Sequence, residues 1–165
     1  NRMAKNPDDQ PVVRSVFDRL MDAERGADAD YPRSSGRLLR DRVASVRRDL
    51  ENLLNTRWRC VGWSEGLDEL DASLTNYGIP DITAANMGSI EDREQLRRVV
   101  ERAIYQFEPR FKSVKVEMLA NDDRADRTLR FRIDALLHAE PAPEPVVFDT
   151  ELEPESGQFK VENMH

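Results

Sequence analysis

Three adjacent residues, Glu108, Pro109 and Arg110, set a carboxylate and a guanidinium on either side of a proline within the stretch AIYQFEPRFKSVKVEM. Three kinds of chemistry are open to such a triplet. Glu108 can act as the acid of glycoside hydrolysis if a second carboxylate stands roughly 5–9 Å away. With 32 acidic residues in the chain such pairs arise by chance, and a neighbouring cation favours the ionised carboxylate where an acid catalyst needs the protonated one. Alternatively, the pair presents a charged fork suited to bidentate recognition of a partner's polar groups. On that reading, alanine at 108 or 110 leaves the melting temperature nearly unchanged and removes partner binding. The third possibility is a plain helix stop with a solvated ion pair worth at most about 1 kcal/mol.

Other chemistry has little to stand on. The chain has no GxSxG, HExxH, P-loop or glycine-rich dinucleotide motif. His138 and His165 are read as surface groups at a strand end and the chain terminus, and Cys60, the single cysteine, has no CxxC or histidine companion. Neither a disulfide nor a zinc site follows, so no metal and no cofactor are expected, and the compartment is read as reducing and cytoplasmic.

The elements that must hold the triplet are legible from periodicity. Leu96, Val100, Ala103, Ile104 and Phe107 fall at helical steps after Ser89, which with Asp92 has the spacing of a cap. Pro109 disfavours the helical conformation at Glu108 and has no N–H, so that helix ends just before the triplet. Beyond it the period becomes two: Val114, Val116 and Met118 alternate with polar residues, NDDRAD turns the chain, and Leu129, Phe131, Ile133, Ala135 and Leu137 alternate again. This is a half-exposed antiparallel hairpin. After the proline-rich spacer AEPAPEP, VVFDTEL and FKVE read as two further short strands, which are apt to leave a free edge.

Upstream, Leu39, Val43, Val46, Leu50 and Leu53 mark a long helix over Leu38–Leu54. Leu67, Leu70, Leu74 and Tyr77 mark a short one closed by Gly78 and Pro80. Residues 1–35 read as an amphipathic helix, with Val12, Val13, Val16, Phe17, Leu20 and Met21 on one face, followed by a flexible linker. Residues 36–165 read as the main domain. The fold class is α+β: N-terminal helices followed by a small antiparallel β-sheet.

Composition narrows the partners. A chain of 165 residues has the length of one domain. Its 25 basic and 32 acidic residues leave a net charge of −7, the wrong balance for a phosphate backbone, so no nucleic acid is expected. The basic stretch RLLRDRVASVRRDL carries interleaved acids and reads as a solvated helix face. No run nears the roughly 18 apolar residues of a membrane span, and the polar start NRMAKNPDDQP has no signal core, so no membrane insertion is expected.

Taken in order, VFDRLMD, LRDRVASVRRDLENLLNTR, SLTNYGIPDI, AIYQFEPRFKSVKVEM, LRFRIDALL and FDTELEPESGQFKV resemble the phage baseplate wedge family, often labelled lysozyme-like, and most closely its type VI secretion branch, the TssE subunits. The Glu-Pro-Arg triplet after an Ile-x-x-Phe helix end, with Asn-Tyr-Gly-x-Pro-Asp upstream, carries the resemblance. Phe111 and Ile79 stand where leucine is the common choice, and the 57–66 connection RWRCVGWSEG is longer than usual.

The resemblance implies a non-enzymatic adaptor of a contractile injection machine, cytoplasmic and assembled on a membrane-docked baseplate. Implied partners are the other wedge subunits (the TssF, TssG and TssK complex) and the contractile sheath subunits TssB and TssC, whose assembly it helps to start. It also implies that Glu108, Pro109 and Arg110 contact the helical core bundle of the wedge, and that the C-terminal strands, with Phe148, Asp149 and Thr150, form a strand-exchange contact with the sheath. A peptidoglycan glycosidase and a regulatory protein-binding adaptor are the alternative readings.

Overall fold

A computed structural model of the chain describes residues 35–58, 70, 73–81, 89–121, 127–139, 142–153 and 155–164. The helix and linker expected over 1–35 lie, up to residue 34, outside the described residues. So do Cys60, Leu67, His165, most of the 57–66 connection and the NDDRAD turn beyond Asn121.

The long helix is α1, Ser35–Asn55. Val43, Val46, Leu50 and Leu53 are buried as their spacing dictates, Leu54 joins them, and Leu39 packs at the margin of the core. Its last carbonyls find donors just beyond the helix: the Thr56 hydroxyl reaches Asn52 O, the Thr56 N–H reaches Leu53 O, and the Arg57 guanidinium reaches Leu54 O. The helix therefore ends without a glycine.

Residues 67–69, 71 and 72 of the short helix expected before Gly78 lie outside the described residues, and from Ser73 to Gly78 the chain is not α-helical. Among the described residues of that stretch there is a 3-10 turn, Leu74–Asn76, capped at its C-terminus by Tyr77, and Leu74 is 83% exposed. Local polar side chains explain the difference: Ser73 Oγ and Asn76 Nδ2 both donate to Leu70 O, taking the carbonyl that a continuing helix would use. Gly78 has a different task. Its φ is +114°, and a Cβ there would lie 2.3 Å from Thr56 O, because Ile79 N–H donates to Thr56 O and Trp58 N–H to Ile79 O in a short parallel bridge. Only glycine allows this approach.

The second helix, α2 (Ile90–Phe107), starts as expected: Ser89 Oγ accepts from Asp92 N–H at 3.0 Å, and Glu91 and Asp92 occupy the first turn. Leu96, Val100, Ala103 and Ile104 are buried, whereas Phe107 is only partly so.

Among the described residues the strands are β1 (Phe111–Leu119), β2 (Leu129–Leu137), β3 (Glu144–Glu153) and β4 (Gln158–Asn163), antiparallel in the order β1-β2-β3-β4. The helices cover one face, α2 against β1 and α1 against β4. Inward residues alternate without a break along β2, and they meet Val116, Phe148, Leu152, Phe159 and Val161 in the core. The outer face carries cross-strand ion pairs, Arg130–Glu151 and Arg132–Asp149.

Two details were not foreseen. The register of β1 against β2 slips between Phe111 and Ser113, and this bulge lets odd-numbered Phe111 face the core together with even-numbered Val116. Further on, β3 absorbs the end of the proline-rich spacer, with Pro145 opposite Leu136. Pro145 shares the parity of Val147, whose carbonyl accepts from Met164 N–H on the β4 side. Its missing N–H thus falls where β4 has ended and no ladder bond is lost.

Gly78→Ala is expected to cost about 2 kcal/mol or more, combining positive-φ strain with a backbone clash. Thermal denaturation followed by circular dichroism should show a fall of roughly 4–8 °C.

Candidate functional site

The triplet forms the turn between α2 and β1. Glu108 N–H donates to Ile104 O as the last helical bond, and Phe111 N–H returns to Glu108 O at 3.2 Å across Pro109 and Arg110, the position in a tight turn that proline favours. His138 N–H donates to Arg110 O at 2.8 Å, tying the turn to the end of β2. Phe111 is buried beneath it, and Phe107 meets Tyr77 edge-on with ring centroids 5.4 Å apart. Pro109 is left at the exposed tip.

Glu108 and Arg110 meet, and not in solvent. Glu108 is only 4% exposed. Its two oxygens accept from Arg110 Nε at 2.6 Å and Nη2 at 2.5 Å, and Oε1 also accepts the Arg110 N–H. The guanidinium continues to α1, where Nη2 donates to Asp49 Oδ2 at 2.7 Å and Nη1 to Ser45 Oγ at 3.2 Å. Burial alone would lower the Arg110 pKa, but the hydrogen bonds and charge of Glu108, and then of Asp49, outweigh it and raise it. The Tyr77 hydroxyl is raised by burial first and then by the charges of Asp49 and Glu108. An open cleft of about 420 Å³ is lined by these groups with Leu53, Phe107 and Pro109.

This geometry corrects two expectations. The pair is a desolvated bridge between two elements instead of a solvated surface pair, and the guanidinium fork is already turned inward onto Glu108 and Asp49. The carboxylates share Nη2 of Arg110, so a cation occupies the space between them where a glycosidase would seat its scissile bond. Ser45, Asp49 and Tyr77 escaped the sequence reading. The usable signal was the pair Ser45 and Asp49, four apart on one flank of an apolar stripe and pointing the same way as Leu53.

The C-terminal residues are placed differently from the triplet. β3 is paired on both sides over Phe148–Leu152, so the backbone of Phe148, Asp149 and Thr150 does not form a free edge. The side chains of Phe148 and Thr150 are buried and that of Asp149 is half-buried against Arg132. β4 lies at the margin, yet α1 covers it: Asn55 Nδ2 donates to Phe159 O and Asn55 Oδ1 accepts from Phe159 N–H, both at 2.8 Å. Arg47 donates to Val161 O and Arg57 to Gly157 O.

The opposite margin is treated in the same way. On β1, Arg97 donates to Val116 O and Glu101 accepts from Val116 N–H. Glu94 holds Arg97 in place, and the hydrogen bonds from Arg97 and Arg98 keep its carboxyl down at about 2.

Among the described residues, no group of three or more His, Cys, Asp or Glu is arranged to hold a metal ion, and no helix is long and apolar enough to cross a membrane. His138 takes part in the junction through its backbone, with its residue exposed.

Glu108→Gln should cost about 3 kcal/mol, the low end for removing one partner of a buried ion pair because Asp49 remains to hold Arg110. Calorimetry should find a melting temperature lower by roughly 6–12 °C; an unchanged value would mean the pair is solvated after all. Thr150 Oγ1 is buried without a hydrogen-bond partner, so Thr150→Val should raise stability by about 1 kcal/mol, measurable by denaturant titration.

Comparison with known proteins bears on this arrangement. A chain in a solved structure described as "The baseplate complex from the type VI secretion system" is similar at 21% identity, covering 69% of this chain and 96% of that chain with a TM-score of 0.47. No curated protein matches. Residues 40–142, which run from the α1 face that holds Arg110 through the turn and β2 to the foot of β3, match the family described as baseplate wedge protein gp25. The buried Arg110 bridge thus lies wholly inside the matched segment, and the chain belongs to the baseplate wedge protein gp25 family.

Proposed function

We propose that this protein is a non-enzymatic baseplate subunit of a type VI secretion system, in which it joins wedge subunits to the contractile sheath and helps to start sheath assembly. The observation that carries the reading is a tip made rigid from three sides. The end of α2, the end of β2 and α1 all bind the Glu108–Arg110 turn, which leaves Pro109 exposed beside a cleft with apolar walls from Leu53, Tyr77 and Phe107. Preorganised surfaces of this kind lose little entropy on docking.

In this role Glu108 and Arg110 shape the site from behind, and Pro109 with the cleft rim meets the helical core bundle of the wedge, the TssF, TssG and TssK complex. The sheath subunits TssB and TssC meet the C-terminal strands. Because Phe148, Asp149 and Thr150 are locked inside the ladder, that contact falls to the β4 margin, with β3 as its support. The assembly stands on the cytoplasmic side of a membrane-docked baseplate. A glycosidase reading has no specific support here, since both Glu108 oxygens accept from Arg110.

Pro109→Glu adds bulk and charge at the exposed tip while leaving the buried bridge in place. It should fold with a melting temperature near that of the parent and fail to co-purify with wedge subunits from cells that carry the machine. Undiminished recovery of wedge subunits would sink the docking role, and peptidoglycan digestion lost in Glu108→Gln would favour the enzyme.

A further inference from the structure

Asn55 imitates a β-strand. A neighbouring strand would engage Phe159 with one donor and one acceptor, and the Asn55 amide supplies both at 2.8 Å. Arg47, steadied by Glu51, takes the next outward carbonyl, at Val161, and Arg57 takes that of Gly157. Arg47, Glu51 and Asn55 are each four apart, so they form one stripe of α1 laid along β4. Exposed strand edges are templates for pairing with other chains, and proteins that must stay soluble cover them.

The covered edge is self-complementary. Phe159, Val161 and Asn163 share the outward-facing parity along β4, whose other side pairs with β3. Two β4 strands laid antiparallel and centred on Val161 would set Lys160 of each copy opposite Glu162 of the other, twice by symmetry. In the single chain Lys160 and Glu162 already pair with each other.

We propose that Asn55, supported by Arg47 and Arg57, is a latch that holds the β4 edge shut against a second copy of this chain, and that displacing Asn55 is the step that opens the edge to strand addition. The latch refines the β4 contact proposed above but does not depend on it, since it is a property of the isolated chain.

The test uses the full chain and light scattering after size exclusion, with amide exchange at Phe159 as a second readout. The parent should be monomeric at all concentrations. Asn55→Ala should dimerise as concentration rises, and in its dilute monomer the Phe159 amide should exchange about tenfold faster, the effect of losing one side-chain hydrogen bond. Adding Lys160→Glu to Asn55→Ala should restore the monomer by setting like charges opposite one another. If Asn55→Ala does not fold, Asn55→Asp, which loses the donor to Phe159 O, takes its place.

A folded variant that stays monomeric with unchanged exchange at Phe159 would overturn the latch. So would equal dimerisation of Val99→Ala, a partly buried site on α2, at a matched loss of melting temperature. Failure of the sheath reading would appear separately, as loss of sheath subunits from pull-downs with these self-association results intact.

Discussion

The guanidinium of Arg110 is the group on which the rest of the structure turns. It is largely withdrawn from water and therefore needs anions at fixed places. One anion, Glu108, lies two residues away at the end of α2. The other, Asp49, lies on α1, distant in sequence. Meeting both sets the approach of α1 to the helix-to-sheet turn, and the turn in turn starts β1 and receives the end of β2 through His138 N–H. The cleft and the exposed Pro109 beside it are built around that one bridge.

Among the described residues the meander of four strands leaves two margins, and helix side chains finish both. Val116 on β1 is met by Arg97 and Glu101, and Phe159 on β4 by Asn55. Where β4 stops short, β3 turns Pro145 toward the gap. Three different solutions serve the same physical need, to leave no run of unpaired backbone groups facing outward. They also explain why long polar side chains lie on the faces of α1 and α2 next to the sheet, where an apolar residue would leave those backbone groups bare.

Much of the architecture was legible from local rules. The Ser89 cap, the stop at Pro109, the seam of α1 and the alternation along β2 all depend on residues within a turn or a pleat of one another, and the structure has them where the sequence reading put them. What was missed depends on partners far along the chain. The triplet looked like a surface fork because nothing local announces that Asp49 and Ser45 will arrive opposite it, and burial then reversed the character of the pair. Gly78 looked like a helix cap because glycine after an apolar stripe is the usual sign of one; its real constraint is the carbonyl of Thr56. The C-terminal strands were recognised as strands, but which of them lies at a margin is a matter of sheet order, and alternation along a strand carries no such information.

Helix α1 has a consequence of its own. Ser45, Asp49 and Leu53 point to the junction, Val46, Leu50 and Leu54 to the core, and Arg47, Glu51 and Asn55 to β4, so three neighbouring stripes are each committed to a different surface. A helix advances by about 100° per residue. Adding or deleting one residue between Asp49 and Leu53 would therefore turn everything downstream by that angle and carry Asn55 off the strand while Arg110 kept its hold upstream. The segment is phase-locked: a substitution along it affects one surface, whereas a change in its length displaces one surface against the other, and an insertion close to whole turns would restore the direction of the stripes but not their position along the helix axis.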